Sequence, residues 1–262
     1  MRIGIDIMGG DYAPESTIRG SILAKQEAEG KLEIVFVGDR ESIERFADKE
    51  ELDISSFPLV HTESSVVMGE HPFKAYVNKP RASVFLGQQL LKSGELDGFC
   101  SAGNTGAMLV GAMHIVTAIP GVIRPAISTI IPNLGGPDSL LLDVGLNPDA
   151  RPDVLYQYGV IGSLYARLVS EKENPTVSLL NLGKEEDKGN LVVKSAYQLM
   201  SDSADFHFIG NMEANDLFVN HISDVIVSDG FVGNVVLKEA EAFYNLISVK
   251  GVANGFFEMF NF

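Results

Sequence analysis

The chain has very little thiol chemistry, no tryptophan and no long hydrophobic segment. Cys100 is the one cysteine among 262 residues, which excludes an intramolecular disulfide and a cysteine zinc site and is typical of a reducing compartment. No uncharged apolar run reaches the roughly 18 residues of a membrane span, and no secretory hydrophobic region follows Met1. We therefore expect a soluble cytoplasmic protein, with attachment to a membrane surface left open.

Positive charge is also scarce, because 20 lysines and arginines stand against 35 aspartates and glutamates, for a net charge of −15. A general nucleic-acid binder needs a basic face, so this balance excludes that class but allows a local basic pocket. The five histidines show no metal-ligand spacing. The sequence also lacks the GxGxxG, P-loop, GxSxG and HExxH patterns, so we predict no metal, no nucleotide cofactor and no serine triad.

Nine short apolar runs alternate with seven segments of helical period. The runs are 2–7, 33–37, 58–61, 98–101, 126–131, 140–144, 177–182, 207–209 and 224–227. The helical segments are 14–28, 40–48, 83–92, 105–116, 154–169, 191–200 and 235–247. Several runs are rich in valine and isoleucine without alternation, which is typical of parallel strands covered on both faces. The pattern predicts an α/β fold with a mostly parallel sheet, and no linker or repeat marks a domain boundary.

Three predicted strands end in glycine-rich turns that lead into helices. The turns contain Gly9, Gly10 and Asp11, then Gly103, Asn104, Thr105 and Gly106, and finally Gly230 and Gly233. Ligands of open parallel sheets bind at the carboxyl ends of the strands, and backbone N–H groups at a helix start bind anions. Three such turns favour a phosphate-like ligand, although a tight turn without a ligand also explains each one separately.

Further polar side chains follow predicted strands or belong to the third turn. They are Asn181, Lys184, Asn211 and Asn234. If the strands are parallel, these side chains converge at one edge, and helix capping or solvated charge is the alternative. A basic loop between residues 69 and 83 carries Lys74, Lys79 and Arg81. This loop is a candidate contact for phosphate or an acidic partner, or simply scattered solubility charge. Cys100 is expected to be a small buried residue rather than a nucleophile.

Six long motifs occur in one order along the chain. They are DIMGGDYAP, SAGNTGA, LLLDVGLNPDARPDVLYQYGVIGSLYA, LLNLGKEEDKGN, FIGNMEANDL and VIVSDGFVGNVVLK. Together they resemble the bacterial phosphate acyltransferase family of phospholipid synthesis, the PlsX family, over nearly the whole chain. The resemblance implies transfer of a fatty acyl group from an acyl carrier protein thioester to inorganic phosphate. The product, acyl phosphate, then serves phospholipid synthesis.

The resemblance also carries expectations about architecture. It implies a three-layer αβα sandwich related to isocitrate and isopropylmalate dehydrogenases, a homodimer, and peripheral attachment to the inner face of the membrane. Members of the family continue with a further strand and helix. We therefore expect residues 1–262 to be a single acyltransferase domain that lacks that C-terminal strand and helix.

Within this resemblance the polar residues take expected roles. Lys184 would balance charge on phosphate or the tetrahedral intermediate, Asn181, Asn211 and Asn234 would donate neutral hydrogen bonds, and the glycine turns would bind phosphate or the oxyanion. Lys74, Lys79 and Arg81 would dock the acidic carrier protein. The acyl chain needs an apolar channel, for which the candidates are Met108, Phe231, Phe256, Phe257 and Phe260.

Two other functions remain alternatives at this point. One is a dehydrogenase of the isocitrate and isopropylmalate fold, for which Asp224 and Asp229 are available as metal-binding carboxylates. The other is a noncatalytic membrane-surface scaffold for lipid-synthesis enzymes.

Overall fold

The computed structural model describes residues 1–134 and 136–250, with side chains described up to residue 246. The phenylalanine-rich tail, with Phe256, Phe257 and Phe260, lies outside the described residues. The chain divides into two compact units, Met1–Ile119 (unit 1) and Pro120–Phe262 (unit 2). Each unit has its own sheet, so the predicted strands form two sheets rather than one.

Unit 1 is built on a four-stranded parallel sheet in the order β3-β2-β1-β4. Its elements are β1 (Arg2–Asp6), α1 (Glu15–Glu27), β2 (Glu33–Gly38), α2 (Arg40–Lys49), β3 (Leu59–His61), α3 (Pro72–Asn78), α4 (Ser83–Ser93), β4 (Gly98–Cys100), α5 (Thr105–Gly111) and a π-helical turn (Ala112–Val116). Local chemistry sets several helix ends. The Asp39 carboxylate caps α2 through the N–H of Ser42, and Gly94 closes α4 in the left-handed conformation.

Unit 2 contains a five-stranded sheet in the order β5-β6-β9-β7-β8, in which only β5 and β6 pair antiparallel. Its elements are β5 (Ser128–Ile131), β6 (Ser139–Leu142), α6 (Pro152–Leu168), β7 (Thr176–Asn181), α7 (Leu191–Ser201), β8 (His207–Glu213), a 3-10 turn (Ala214–Asp216), β9 (Val225–Val227) and α8 (Gly230–Lys250). The prediction of an α/β fold with mostly parallel pairing is confirmed.

The core of unit 2 explains why its strands show no polar alternation. On β9, Val225 and Val227 pack with Tyr158 of α6 and Ala196 of α7, whereas Ile226 packs on the opposite face near α8. Successive side chains of a strand point to opposite faces, so helices on both faces require apolar residues at every position. Both faces of this sheet are therefore buried.

Two expectations about local structure are wrong. The segment read as a basic loop contains α3, a seven-residue helix that opens with Pro72, too short to show a helical stripe. Cys100 is exposed rather than buried, because it ends β4, which is an edge strand of the unit 1 sheet. Across residues 1–134 and 136–250, no helix combines the length and the hydropathy that crossing a membrane requires.

Candidate functional site

The first two glycine turns meet at the carboxyl edge of the unit 1 sheet, because β1 and β4 are parallel neighbours. Asp6, the last residue of β1, is buried and links them. Its carboxylate accepts hydrogen bonds from the N–H of Met8 at 3.2 Å and from Ser101 Oγ at 2.8 Å. Ser101 Oγ in turn accepts the N–H of Gly103 at 3.1 Å. Asp6 and Ser101 thus set the geometry of both turns.

The glycines of these turns are required by close approach. A Cβ at Gly9 would lie 2.7 Å from the Asp6 carboxylate and from Ser101 Oγ, and a Cβ at Gly103 would lie 3.0 Å from Gly9 Cα. Gly10 has a φ of +111°, which a residue with a side chain rarely adopts. The turns therefore need glycine for packing and conformation as well as for the ligand approach predicted from the sequence.

Burial raises the pKa of Asp6, and hydrogen bonds from Ser83, Ser101 and Met8 only partly offset this. We expect the Asp6 carboxyl to titrate above its ordinary value of 3.8 in a carbon-13 NMR titration, with Asp6→Asn assigning the signal. The pKa of Asp6 is higher in the folded protein than in the unfolded one. The free energy of unfolding should therefore fall as the pH rises from the unfolded pKa through the folded pKa. Asp6→Asn should remove this fall. Titration at or below 3.8 would contradict the expectation.

The other residues of unit 1 that were predicted to bind phosphate differ in how many hydrogen bonds they already make within the protein. The Asn104 side chain caps α5 by accepting the N–H of Ala107, and it donates to the carbonyl of Glu70 at 3.0 Å. Asp11 and Thr105 are exposed. The exposed pair could meet a ligand, whereas the Asn104 amide already anchors a loop.

In unit 2, a fully buried aspartate follows β6. Asp143 Oδ1 accepts the backbone N–H groups of Ile127, Gly145 and Leu146, each at 3.1 Å. Its Oδ2 accepts the N–H and the side-chain amide of Asn147 at 2.7 and 3.0 Å. The five donors hold the loop after β6 against the segment that leads into β5.

Asn147 extends this network to α6 and α8. Its side-chain amide also donates to the hydroxyl of Tyr158 at 2.7 Å. Its backbone carbonyl accepts the N–H of Gly230 at 2.9 Å. Burial, with the charge of Asp143 as the next cause, raises the pKa of Tyr158, so this hydroxyl stays protonated. The start of α8 is thereby fixed to the loop after β6.

The third glycine turn packs directly against this loop. A Cβ at Gly230 would lie 2.7 Å from Asn147 N, and a Cβ at Gly233 would lie 2.0 Å from the Asp143 carbonyl oxygen. The backbone of α8 can approach only because these positions carry no side chain.

Gly233→Ala is therefore expected to lower the free energy of unfolding by about 3 kcal/mol, because the backbone of Asp143 must move. Gly20→Ala is the matched control, since a Cβ there meets nothing within 4 Å inside α1. The control should raise stability by up to about 1 kcal/mol. Urea unfolding followed by circular dichroism measures both, and equal effects of the two substitutions would refute the packing argument.

The three predicted catalytic asparagines hold loops through their amides. Asn181 donates to the carbonyl of Lys188 at 3.2 Å, and Asn211 donates to the carbonyl of Glu185 at 2.9 Å. Asn234 donates to the carbonyl of Val144 at 3.2 Å. The side-chain oxygen of Asn211 is buried and accepts no hydrogen bond from a described residue. In this structure these residues position the loops after β6 and β7, and a substrate contact would use their remaining capacity.

Lys184, in the loop after β7, reaches Asp216 beyond β8, with 2.9 Å between Nζ and Oδ2. The hydrogen bond to Asp216, followed by its charge, raises the pKa of Lys184 above its ordinary value. Because 58% of the Lys184 side chain is exposed, the ammonium stays charged at neutral pH and open to an anion. This pair joins the loops that follow β7 and β8.

Asp224 and Asp229 cannot act as one carboxylate cluster. They lie at opposite ends of β9, and Asp224 is bound to Thr176 and Lys172. Within the described part of the chain, no group of three or more histidine, cysteine, aspartate or glutamate residues could hold a metal ion. The carboxylates named for a dehydrogenase are therefore not placed for that chemistry.

Sequence reasoning missed the residues that organise both edges. Asp6 and Ser101 flank glycine turns that were recognised, and Asp143 and Asn147 lie inside a recognised motif. Their position at the end of a strand or shortly after it was the available signal, but ordinary helix caps share this position. Their role depends on donors far away in the sequence, such as Ile127 for Asp143.

The chain matches the family described as "Fatty acid synthesis protein" over residues 1–250. Among curated relatives, the phosphate acyltransferase of Dictyoglomus turgidum is 42% identical over 92% of this chain and 71% of its own length. The phosphate acyltransferase of Salinibacter ruber is 41% identical over 94% of this chain and 73% of its own.

Solved structures share the fold. The EutD phosphotransacetylase from Staphylococcus aureus superimposes with a TM-score of 0.66 at 19% identity, covering 94% of this chain and 82% of that protein. A phosphotransacetylase from Streptococcus pyogenes gives 0.69 at 17% identity, covering 93% and 82%.

Proposed function

The chain belongs to the fatty acid synthesis protein family of phosphate acyltransferases, and from that membership we propose that it transfers a fatty acyl group from an acyl carrier protein thioester to inorganic phosphate. The product is acyl phosphate for phospholipid synthesis. The observation that carries the proposal is the identity of about 40% that spans nearly the whole chain. The two turns linked by Asp6 are consistent with it, since they bring glycine-rich backbone together at the carboxyl edge of the unit 1 sheet, where parallel sheets bind their ligands.

The proposed chemistry needs no activated side-chain nucleophile. A phosphate oxygen bonds to the thioester carbonyl carbon, the carbon–sulfur bond breaks, and the carrier thiolate leaves. Phosphate is already an anion at neutral pH, so positioning and oxyanion stabilisation are the main tasks of the protein. Each backbone donor aimed at the oxyanion contributes about 3–4 kcal/mol to transition-state stabilisation.

We assign the roles as follows. Phosphate or oxyanion binding is assigned to the turns with Gly9, Gly10, Gly103, Gly106, Gly230 and Gly233, together with Asp11, Asn104 and Thr105. The N–H groups of Gly9, Gly103, Gly230 and Gly233 already donate to oxygen atoms of the protein, so these glycines serve close approach of the backbone, and the N–H groups of Gly10 and Gly106 are assigned to the ligand. The Lys184 ammonium balances the charge of phosphate or of the tetrahedral intermediate. Asn181, Asn211 and Asn234 hold the loops around it and donate hydrogen bonds where their capacity allows. The charged, half-exposed state of Lys184 supports its role.

Docking of the acidic carrier protein is assigned to Lys74, Lys79 and Arg81. Lys74 and Arg81 are exposed. The Lys79 ammonium contacts the Glu70 carboxylate at 2.9 Å and the Ser65 carbonyl at 3.1 Å, so its charge is largely neutralised locally. The two exposed residues should therefore contribute most of the attraction.

Charge reversal by Lys74→Glu with Arg81→Glu should raise the KM for acyl carrier protein about tenfold and leave the KM for phosphate unchanged. The effect should shrink as salt is added, because exposed charges are screened. Lys31→Glu with Arg45→Glu, both exposed in unit 1, controls for the same change in net charge. Equal changes in both KM values, or the same change in the control, would argue against docking at this surface.

Four finer features remain part of the proposal. We expect a three-layer αβα fold related to isocitrate and isopropylmalate dehydrogenases, supported by the helices on both faces of the unit 2 sheet. We also expect residues 1–262 to act as a single acyltransferase domain. The protein is further expected to be a homodimer, and to be cytoplasmic with peripheral attachment to the inner membrane surface.

The test is a phosphate-dependence assay. Purified protein is mixed with a long-chain acyl carrier protein with and without phosphate, and acyl phosphate is trapped as the hydroxamate. Product that requires phosphate supports the proposal, and its absence from both this chain and a C-terminally extended chain refutes it. Hydride transfer to a nicotinamide cofactor would instead support the dehydrogenase alternative, which no feature of the site favours. The scaffold alternative predicts no turnover at all.

A further inference from the structure

A cavity of about 320 Å³ lies at the carboxyl edge of the unit 2 sheet, bounded by the ends of β7 and β9 and by α6, α7 and α8. Most of its lining is aliphatic. Leu155 and Leu179 form the inner wall, and both are buried in the core of the unit. Asn181 and Asp229 supply polar atoms at the strand ends. The cavity therefore has an apolar interior and a polar end.

The outer wall is aliphatic as well. Leu182 is 73% exposed and Val232 is 39% exposed, and both line the cavity. Aliphatic surface exposed to water is unfavourable, so an apolar ligand that covers these side chains gains free energy in proportion to the apolar area it covers. Burial of these residues by a ligand is thus favourable.

We propose that this cavity is the subsite for the acyl chain, with the thioester carbonyl at the end formed by Asn181 and Asp229. The inference rests on the proposed acyl transfer. It adds where the acyl chain binds and how many of its carbons the cavity holds. If each methylene occupies about the 30 Å³ share of a water molecule, the volume holds about ten carbons. Longer chains extend past Leu182 and Val232.

The placement differs from the one expected from the sequence. Met108 belongs to unit 1, and Phe231 is exposed on α8 and does not line this cavity. The lining comes instead from separate elements of unit 2, which only the fold brings together.

Neighbouring valines on α7 provide a matched test. Val193 lines the cavity, whereas Val192 does not. Val193→Phe fills the cavity, and Val192→Phe adds the same bulk outside it. Ala214→Phe is a second filling variant at an exposed position of the lining, for the case that Val193→Phe fails to fold.

The probes are S-acyl pantetheines with 4, 8 and 12 carbons, titrated by calorimetry without phosphate so that no turnover occurs. For the unmodified chain, affinity should rise about fourfold per methylene and level off near ten carbons. The filling variants should lose at least tenfold affinity for the 8- and 12-carbon probes and less than twofold for the 4-carbon probe. Val192→Phe should match the unmodified chain.

Three results would overturn the inference. The first is an affinity that does not depend on acyl-chain length. The second is a loss of affinity in the filling variants that is no larger than in Val192→Phe. The third is no binding of any probe, as when another segment of the protein occupies the cavity. A phosphate-dependence assay on the same samples separates the two proposals. If the probes bind with length-dependent affinity but no acyl phosphate forms, the proposed function is wrong and the assignment of the cavity to an apolar chain stands. If acyl phosphate forms and the filling variants do not change how turnover depends on acyl-chain length, the assignment of the cavity is wrong and the proposed function stands.

Discussion

Lys184→Ala is expected to lower the turnover of acyl phosphate formation by at least about 100-fold, the effect of removing one group that stabilises transition-state charge. The Lys184 ammonium is charged, and 58% of the side chain is exposed at the edge where the strands of unit 2 end. Because the side chain is not part of the core, the variant should fold. The measurement is kcat in the phosphate-dependent assay, with a melting curve on the same sample.

Two further variants sharpen this test. Lys194→Ala removes an exposed lysine of the same unit and should retain turnover within about twofold. Asp216→Asn keeps the ammonium but removes its partner, so a smaller loss would show that Asp216 positions Lys184. Turnover of Lys184→Ala close to that of Lys194→Ala would remove Lys184 from the mechanism.

Asp143→Ala should produce the largest loss of stability, a decrease of about 3 kcal/mol or more in the free energy of unfolding. Its carboxylate accepts five hydrogen bonds, four of them from backbone N–H groups, and it is 0% exposed. Each buried donor left unpaired costs about 1–3 kcal/mol. Water that enters the space left by the side chain accepts some of these hydrogen bonds and lowers the total cost. Urea unfolding of the purified variants measures the change.

The matched control is Asp149→Ala, an exposed aspartate six residues further along the same loop. It should change stability by no more than about 0.5 kcal/mol. If Asp143→Ala is as stable as Asp149→Ala, the hydrogen-bond network does not hold the loop. Asp143→Asn should also be destabilised, because its NH₂ group would face donors.

The strands were predictable because burial on both faces leaves a local record. Residues 140–142 and 225–227 are continuous aliphatic runs, and their alternate members enter separate cores on the two faces of one sheet. Helix α3 gave no such signal, since its seven residues are too few for a periodic stripe and the basic residues in and after it are typical of a loop.

Of the candidate site, the sequence predicted the glycine-rich strand ends but not the contacts between them. The glycine-rich strand ends were visible in the sequence, because a glycine at such a turn is a local property of the chain, and the structure places them at the carboxyl edges of the two sheets. The partners were not visible, since Lys184 and Asp216 are separated by a loop, a helix and a strand. The same holds for the Asn211 amide, which binds the carbonyl of Glu185.

The amino-acid sequence by itself determined the family, the parallel α/β pattern and the glycine-rich strand ends, because each is a run of neighbouring residues with its own chemistry. Only the tertiary structure decided that the strands form two sheets and that unit 2 has the order β5-β6-β9-β7-β8. It also decided that Asp143 holds a loop and that Val193, but not Val192, lines a cavity. These features arise from contacts between residues that are distant in the chain, and such contacts leave no signature in either local segment.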